Sequence, residues 1–207
     1  GVKISLIEAS PRILPALSER IARGAHRQLE HIGVQVLTNE RVTCINANNI
    51  ETASGKKIPA TLKVWAAGIK APDFLSSLDG LETNRIHQLV VTPALLTTHD
   101  QSVYAMGDCC SCVPPGTERP VPPRAQSAHQ MASFVARAIE ARIKGKNPQE
   151  TFEYNDYGSL VSLSKAGSVG SLMGNLMGTI NLHGFLARTL YISLYRMHQW
   201  ALFGGFK

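Results

Sequence analysis

An α/β fold built on a parallel sheet is what the sequence predicts, and three observations predict it. Val2 to Leu37 read as strand, helix, strand with a tight return, the repeating unit of a parallel sheet. Two later apolar strands run into small residues, Ala67-Gly68 and Gly107-Asp108, which leaves their carboxyl ends open to a flat ligand. A long amphipathic helix then opens at Pro123-Arg124 and stops at Gly145.

Each element has a local reason. Val2 to Ile7 alternates apolar and polar residues and ends at Glu8, after which Pro11 and Pro15 interrupt the chain. Ser18 can cap a helix with Ile21, Ala22, Ala25, Leu29 and Ile32 on one face, and Gly33 stops it. Val34 to Leu37 is the return strand. Arg41 to Ile45, Asn49 to Thr52 and Lys57 to Pro59 are short extended pieces punctuated by Asn46, Asn48 and Ser54-Gly55, a small β-meander. Leu62 to Ala66 reads as a strand. Residues 71–100 are loop-rich around a strand at Leu89-Val90-Val91, and Val103 to Met106 reads as another. The long helix carries Ala128, Met131, Ala132, Val135, Ile139 and Ile143 on its apolar face. Leu160 to Leu163 and Val169 to Leu172 flank Lys165-Ala166-Gly167 as a hairpin, and residues 183–203 read as a final amphipathic helix.

Composition narrows the function classes. The chain has 207 residues, 44% apolar and 17% charged, which excludes disorder over most of its length. The net charge of +6 accompanies no stripe of Lys/Arg mixed with stacking aromatics, so nucleic acid is not the expected partner. An anionic membrane surface suits it better. No apolar stretch approaches the roughly 18–20 residues of a spanning helix. The start lacks Met and already reads as strand interior, as though the chain began inside a fold. Cys109, Cys110 and Cys112 cluster but Cys44 alone supplies no second half of a zinc site, so no metal is expected. Free thiols in a reduced compartment are preferred over a strained redox pair.

Four motifs carry candidate chemistry. Glu8 ends its strand as an acid does in a dinucleotide-binding Rossmann unit, where it accepts hydrogen bonds from ribose hydroxyls; a carboxylate there suits NADH and repels the phosphate of NADPH. The Gly-rich phosphate loop would lie roughly 20 residues before it, ahead of residue 1. A solvated Glu ending an unrelated strand is the other reading. Ala67 and Gly68 leave room for a nicotinamide to lie flat, or form a simple turn. Gly107 permits close backbone approach, and Asp108 could accept hydrogen bonds from the ribityl hydroxyls of FAD or from pyrophosphate-bound water, or be a loop carboxylate. At the start of the long helix, unpaired N–H groups and the dipole give positive potential that suits the negatively charged edge of a reduced flavin. Gln126 and Gln130 lie one turn apart there, away from the apolar stripe, as a polar pair or as solvated side chains.

Taken in line, these stretches resemble a known family. Val64-Trp65-Ala66-Ala67-Gly68-Ile69-Lys70-Ala71-Pro72, Gly80-Leu81-Glu82-Thr83-Asn84-Arg85, Tyr104-Ala105-Met106-Gly107-Asp108-Cys109 and Pro122 through Ala132 look like bacterial type II NADH dehydrogenase. Gly158 through Ser164 and Tyr191 through Gln199 do too. The resemblance implies the C-terminal half of a flavoprotein with two dinucleotide-binding (Rossmann-type) domains. Residues 1–70 would finish the NADH domain, 71–147 return to the FAD domain, and 148–207 begin a membrane-associating region. It implies Glu8 as the NADH-ribose acid, Ala67-Gly68 as the nicotinamide-side loop, and Asp108 as the FAD acid. Ala125 and Gln126 would lie by flavin and quinone, with Gln126 and Gln130 catalytic.

The implied activity is hydride transfer from NADH to FAD and electron transfer to a membrane quinone, without proton pumping. The implied placement is peripheral, on the cytoplasmic face of the bacterial inner membrane. In the final helix Leu186, Leu190, Leu194, Met197 and Ala201 form a stripe beside Tyr191, Tyr195 and Leu202, with Arg188 and Arg196 away from it. Such a face suits an anionic bilayer surface or a homodimer partner. Both phosphate loops of the family are missing, so the chain alone is expected to be inactive. Two rivals stand: a sulfide:quinone or disulfide-reductase-like flavoprotein, and a non-catalytic dimerisation or membrane-binding module.

Overall fold

A computed structural model of the chain describes residues 2–146, 150–162, 168–174 and 178–183, and beyond them 189, 192–193, 195–196, 199–200 and 204. Over 159–183 it describes the backbone alone. Two compact units result: Gly1–Val64 with Tyr157–Lys207, and Trp65–Asp156.

In the first unit β1 (Ile4–Ile7) pairs in parallel with β2 (Val34–Leu37), Ile4 opposite Val34. Between them α1 (Glu19–His31) presents Ile21, Ala22 and Ala25 to the core, because those positions recur at helical spacing. Ile13 joins Ile21 and Ala25, with Leu14, Leu17, Leu29 and Val36 packed around them. Ser18 stands at the N-cap without a side-chain hydrogen bond, and Ile32, expected on the buried face, is the 52% exposed C-cap. Gly33 at φ +84° ends the helix where a residue with a Cβ would be strained. The meander forms as β3 (Val42–Ile45), β4 (Asn49–Thr52) and β5 (Lys57–Pro59), antiparallel in that order.

Glu40 ties the meander to the end of β2. Its carboxylate is buried, pairs with Lys56 and accepts a hydrogen bond from Ser54 Oγ at 2.7 Å. The bond from Lys56, then those from Ser54 and Thr52, hold its carboxyl down from 4.5 to about 2. A depressed carboxyl stabilises the fold fully above its unfolded value and loses that contribution as pH falls through the folded one. Glu40→Gln is therefore expected to lower the melting temperature at pH 7, with the gap to wild type closing between pH 4.5 and about 2. Parallel melting curves across that range would refute the role.

Leu62 to Ala66 is not a strand, contrary to expectation. No ladder partner reaches it among the described residues, and Leu62, Val64 and Trp65 are 84%, 79% and 65% exposed. Strand-forming residues without a neighbouring edge gain nothing from extension. The hairpin is present as β8 (Gly158–Ser162) and β9 (Ser168–Gly174), and an unforeseen third strand, β10 (Gly178–His183), extends it. The final helix therefore cannot include His183. Residues 189, 192–193, 195–196 and 199–200 are helical, and Ile192, Tyr195 and Trp200 are exposed. Leu186, Leu190, Leu194, Met197 and Ala201, and likewise Lys165-Ala166-Gly167, lie outside the described residues.

The second unit is organised by α2 (Ala125–Ile143). Its buried face is Ser127, Met131, Phe134, Val135 and Ala138, whereas Ile139 and Ile143 are 43% and 81% exposed and Ala132 is also exposed. The stripe is rotated from the expected one because Phe134 is seized by Phe152, edge-on at 5.8 Å between ring centroids. Below it β6 (Leu89–Val91) pairs in parallel with β7 (Cys110–Cys112). That strand stands in place of the one expected at Val103 to Met106, which makes a single bridge, Leu96 to Tyr104. The reason is burial: Cys110 and Cys112 alternate inward beside Leu89 and Val91.

Candidate functional site

Gly107-Asp108-Cys109 forms a single 3-10 turn between the end of that bridge and β7, and it lies on the first half of α2. Gly107 is required there. Its φ is +73°, and a Cβ added to it would come within 3.3 Å of the Ala128 Cβ. Three further contacts fix the turn. Gly107 N–H donates to Met131 Sδ at 3.2 Å, Cys110 Sγ–H donates to Gly107 O at 3.3 Å, and Gln88 Nε2 donates to Asp108 O at 2.9 Å. Gln88 is itself 7% exposed and held by Asn84, whose Nδ2 donates to its Oε1 at 2.9 Å. The Asp108 carboxylate points outward, exposed, with no hydrogen-bond partner among the described residues.

At the start of α2 the N-cap is Arg124, the first turn contains no acidic residue, and Ala125 is exposed. Ser127 Oγ donates to Pro122 O at 2.7 Å and so anchors the proline-rich approach. Gln126 and Gln130 both face residues 155–156. Gln126 Nε2 donates to Asp156 Oδ1 at 3.1 Å, and Gln130 exchanges two hydrogen bonds with the Asn155 backbone at 2.9 and 3.0 Å. Gly107, Asp108, Ala125, Gln126 and Gln130 thus belong to one unit. Ala67 and Gly68 are in that unit as well, exposed, with Gly68 at φ +73°. Glu8 belongs to the other unit. Its Oε1 accepts from Ser10 N–H at 2.8 Å, and its N–H donates to Leu37 O at 2.8 Å, so the side chain is set at the mouth of the parallel pair.

Residues Gln88, Met131 and Asp156 were not legible as site residues. Gln88 is a lone glutamine before Leu89-Val90-Val91, Met131 reads as core and Asp156 as an ordinary loop acid, so nothing local marks any of them. The thiols are all free. Burial first, then the neighbouring Cys109, Cys112 and Asp108, pushes the Cys110 thiol up to about 12, and burial raises that of Cys112. Both are thiols at neutral pH, and the thiolate is the reactive form.

Residues 1–132 match the family described as pyridine nucleotide-disulphide oxidoreductase. The chain belongs to that family. Across all 207 residues it is 43% identical to the type II NADH:quinone oxidoreductase of Haemophilus influenzae, covering 46% of that protein. The chain spans about half the length of the curated relatives it matches. Among solved structures, NDH2 of Plasmodium falciparum in complex with NADH overlays 94% of the chain and 54% of its own, with a TM-score of 0.77 at 18% identity. The sulfide:quinone oxidoreductase of Aquifex aeolicus overlays 96% and 49%, with a TM-score of 0.73 at 15% identity. Those two likenesses speak to the fold alone, and with the family match they show a Rossmann-type pyridine nucleotide-disulphide oxidoreductase fold.

Proposed function

We propose that this chain is the C-terminal half of a type II NADH:quinone oxidoreductase, using NADH and FAD and reducing a membrane quinone without pumping protons. The observation that carries the reading is the 43% identity, over the whole chain, to the Haemophilus influenzae enzyme of that name. The buried, protonated Cys110 and Cys112 favour it over sulfide:quinone chemistry, which needs two thiols able to hold sulfur at the flavin. The residues present fit a flavin, because Gly107 keeps a Cβ away from the turn and Asp108 offers an unengaged carboxylate. When bound, FAD supplies the hydride acceptor for NADH and the electron donor for quinone.

The chain's own residues then have simple tasks. Glu8 binds the NADH ribose through Oε2, which has no partner among the described residues, while Oε1 stays on Ser10. Ala67 and Gly68 keep side chains off the nicotinamide face. Asp108 holds the ribityl hydroxyls, and Gln88 holds Asp108. Ala125, Gln126 and the helix start sit by the quinone, with Gln130 one turn on. By the same reading, residues 1–70 complete the NADH domain, 71–147 belong to the FAD domain, and 148–207 begin a region that attaches to the cytoplasmic face of the inner membrane. No described helix is long and apolar enough to cross a membrane. The exposed Ile192, Tyr195 and Trp200 are suited to an anionic bilayer surface, or to a second copy of the chain.

The NADH assignment is tested at Glu8. Glu8→Gln in the full-length enzyme is expected to weaken NADH roughly tenfold or more, for a lost charged hydrogen bond of about 1.5–3 kcal/mol, and to narrow the preference over NADPH. Steady-state kinetics with both nucleotides report this. Unchanged KM values for both would remove Glu8 from the site.

A further inference from the structure

Residues 152–156 run past the start of α2 and are tied to it repeatedly. Phe152 is 3% exposed against Phe134, and its N–H donates to Pro93 O at 2.8 Å. Gln130 grips the Asn155 backbone from both sides, donating through Nε2 at 2.9 Å and accepting through Oε1 at 3.0 Å. At Asp156 one carboxylate then engages two residues of the helix start. Its Oδ2 takes Arg124 Nη1 at 3.0 Å, and its Oδ1 takes Gln126 Nε2 at 3.1 Å.

We propose that Asp156 is a positioning residue for quinone reduction, acting through Gln126. This rests on the reading of Gln126 given above. A glutamine side chain has several torsions, and its amide can present either end. A carboxylate only accepts, so Asp156 dictates that Nε2 and not Oε1 faces it. The same carboxylate is neutralised by Arg124, and with side chains 28% and 34% exposed the pair is partly shielded from solvent and salt. The splint is therefore rigid at its base. Phe152 and Asn155 fix its height, Arg124 fixes its angle, and Gln126 is held in one orientation beside the positive end of the helix.

The test uses the full-length, flavin-loaded enzyme with decylubiquinone as the quinone. Asp156→Asn keeps the shape but puts an NH2 group where a carboxylate oxygen accepted a hydrogen bond, so a contact to the helix start is lost. The quinone half-reaction is expected to slow roughly tenfold while the NADH half-reaction is unchanged. Decylubiquinone binding to the oxidised enzyme, followed by fluorescence quenching, should weaken in parallel. Asp156→Glu, which restores an acceptor, should recover part of both. In a Gln126→Ala background Asp156→Asn should add less than about twofold, because its effect passes through the missing amide. Wild-type behaviour of Asp156→Asn alongside a slow Gln126→Ala would overturn the positioning role and leave Gln126 in place. An equal loss in both backgrounds would overturn it too. A silent Gln126→Ala would overturn the role of Gln126 and this proposal together. If Asp156→Asn is recovered without flavin, Asp156→Glu carries the same cycle.

Discussion

Asp108→Ala in the full-length enzyme is expected to lose its flavin. Asp108 is the middle residue of a turn that is held on three sides, by Met131 beneath Gly107, by Cys110 and by Gln88 on its carbonyl, while its carboxylate is exposed with no described partner. A carboxylate so fixed and so unengaged costs little to bring to a ligand hydroxyl, because its backbone is already ordered. Removing it takes away charged hydrogen bonds of about 1.5–3 kcal/mol each, a roughly tenfold to hundredfold rise in the flavin dissociation constant. The fold should survive, since the lost group is exposed. The measurement is flavin content after extensive dialysis, with a circular dichroism spectrum as control. Full occupancy in the mutant would count decisively against Asp108.

Gln126→Ala is expected to slow the quinone half-reaction about tenfold and leave the NADH half-reaction near wild type. The amide stands at the first turn of α2, whose own residues include no acid, and the Asp156 carboxylate beside it is paired with Arg124. A quinone gains negative charge on its oxygens as it is reduced, and a donor placed there is stronger in the transition state than in the ground state. Losing such a donor costs about 2.7–4 kcal/mol in a dry, preorganised site. A pocket open to the bilayer is less preorganised, hence the smaller expected loss, about 1.4 kcal/mol. Stopped-flow measurement separates the two half-reactions. A slow NADH step with a normal quinone step would place Gln126 on the nicotinamide side.

Much of the fold was legible because it is local. The α1 stripe, the Gly33 stop, the meander punctuated by Asn and Gly, and the helix from Ala125 to Ile143 each follow from spacing a few residues apart. What failed depended on neighbours distant in sequence. Leu62 to Ala66 has strand residues and no edge to join, and Val103 to Met106 yielded its place to Cys110–Cys112, which the pairing with β6 selects. Phe152 turned the face of α2 from 18 residues away, out of reach of periodicity. The site followed the same rule. Gly107 and Asp108 were visible as a dipeptide after an apolar run, but Gln88 and Asp156 act on residues 20 and 30 positions away and carry no local mark.

The most direct measurement is anaerobic stopped-flow absorbance of the full-length enzyme, mixed first with NADH and then with a soluble quinone. The account predicts that NADH bleaches the flavin band in one fast phase and that quinone restores it, while sulfide leaves the band unchanged. A band that sulfide bleaches and NADH does not would contradict it.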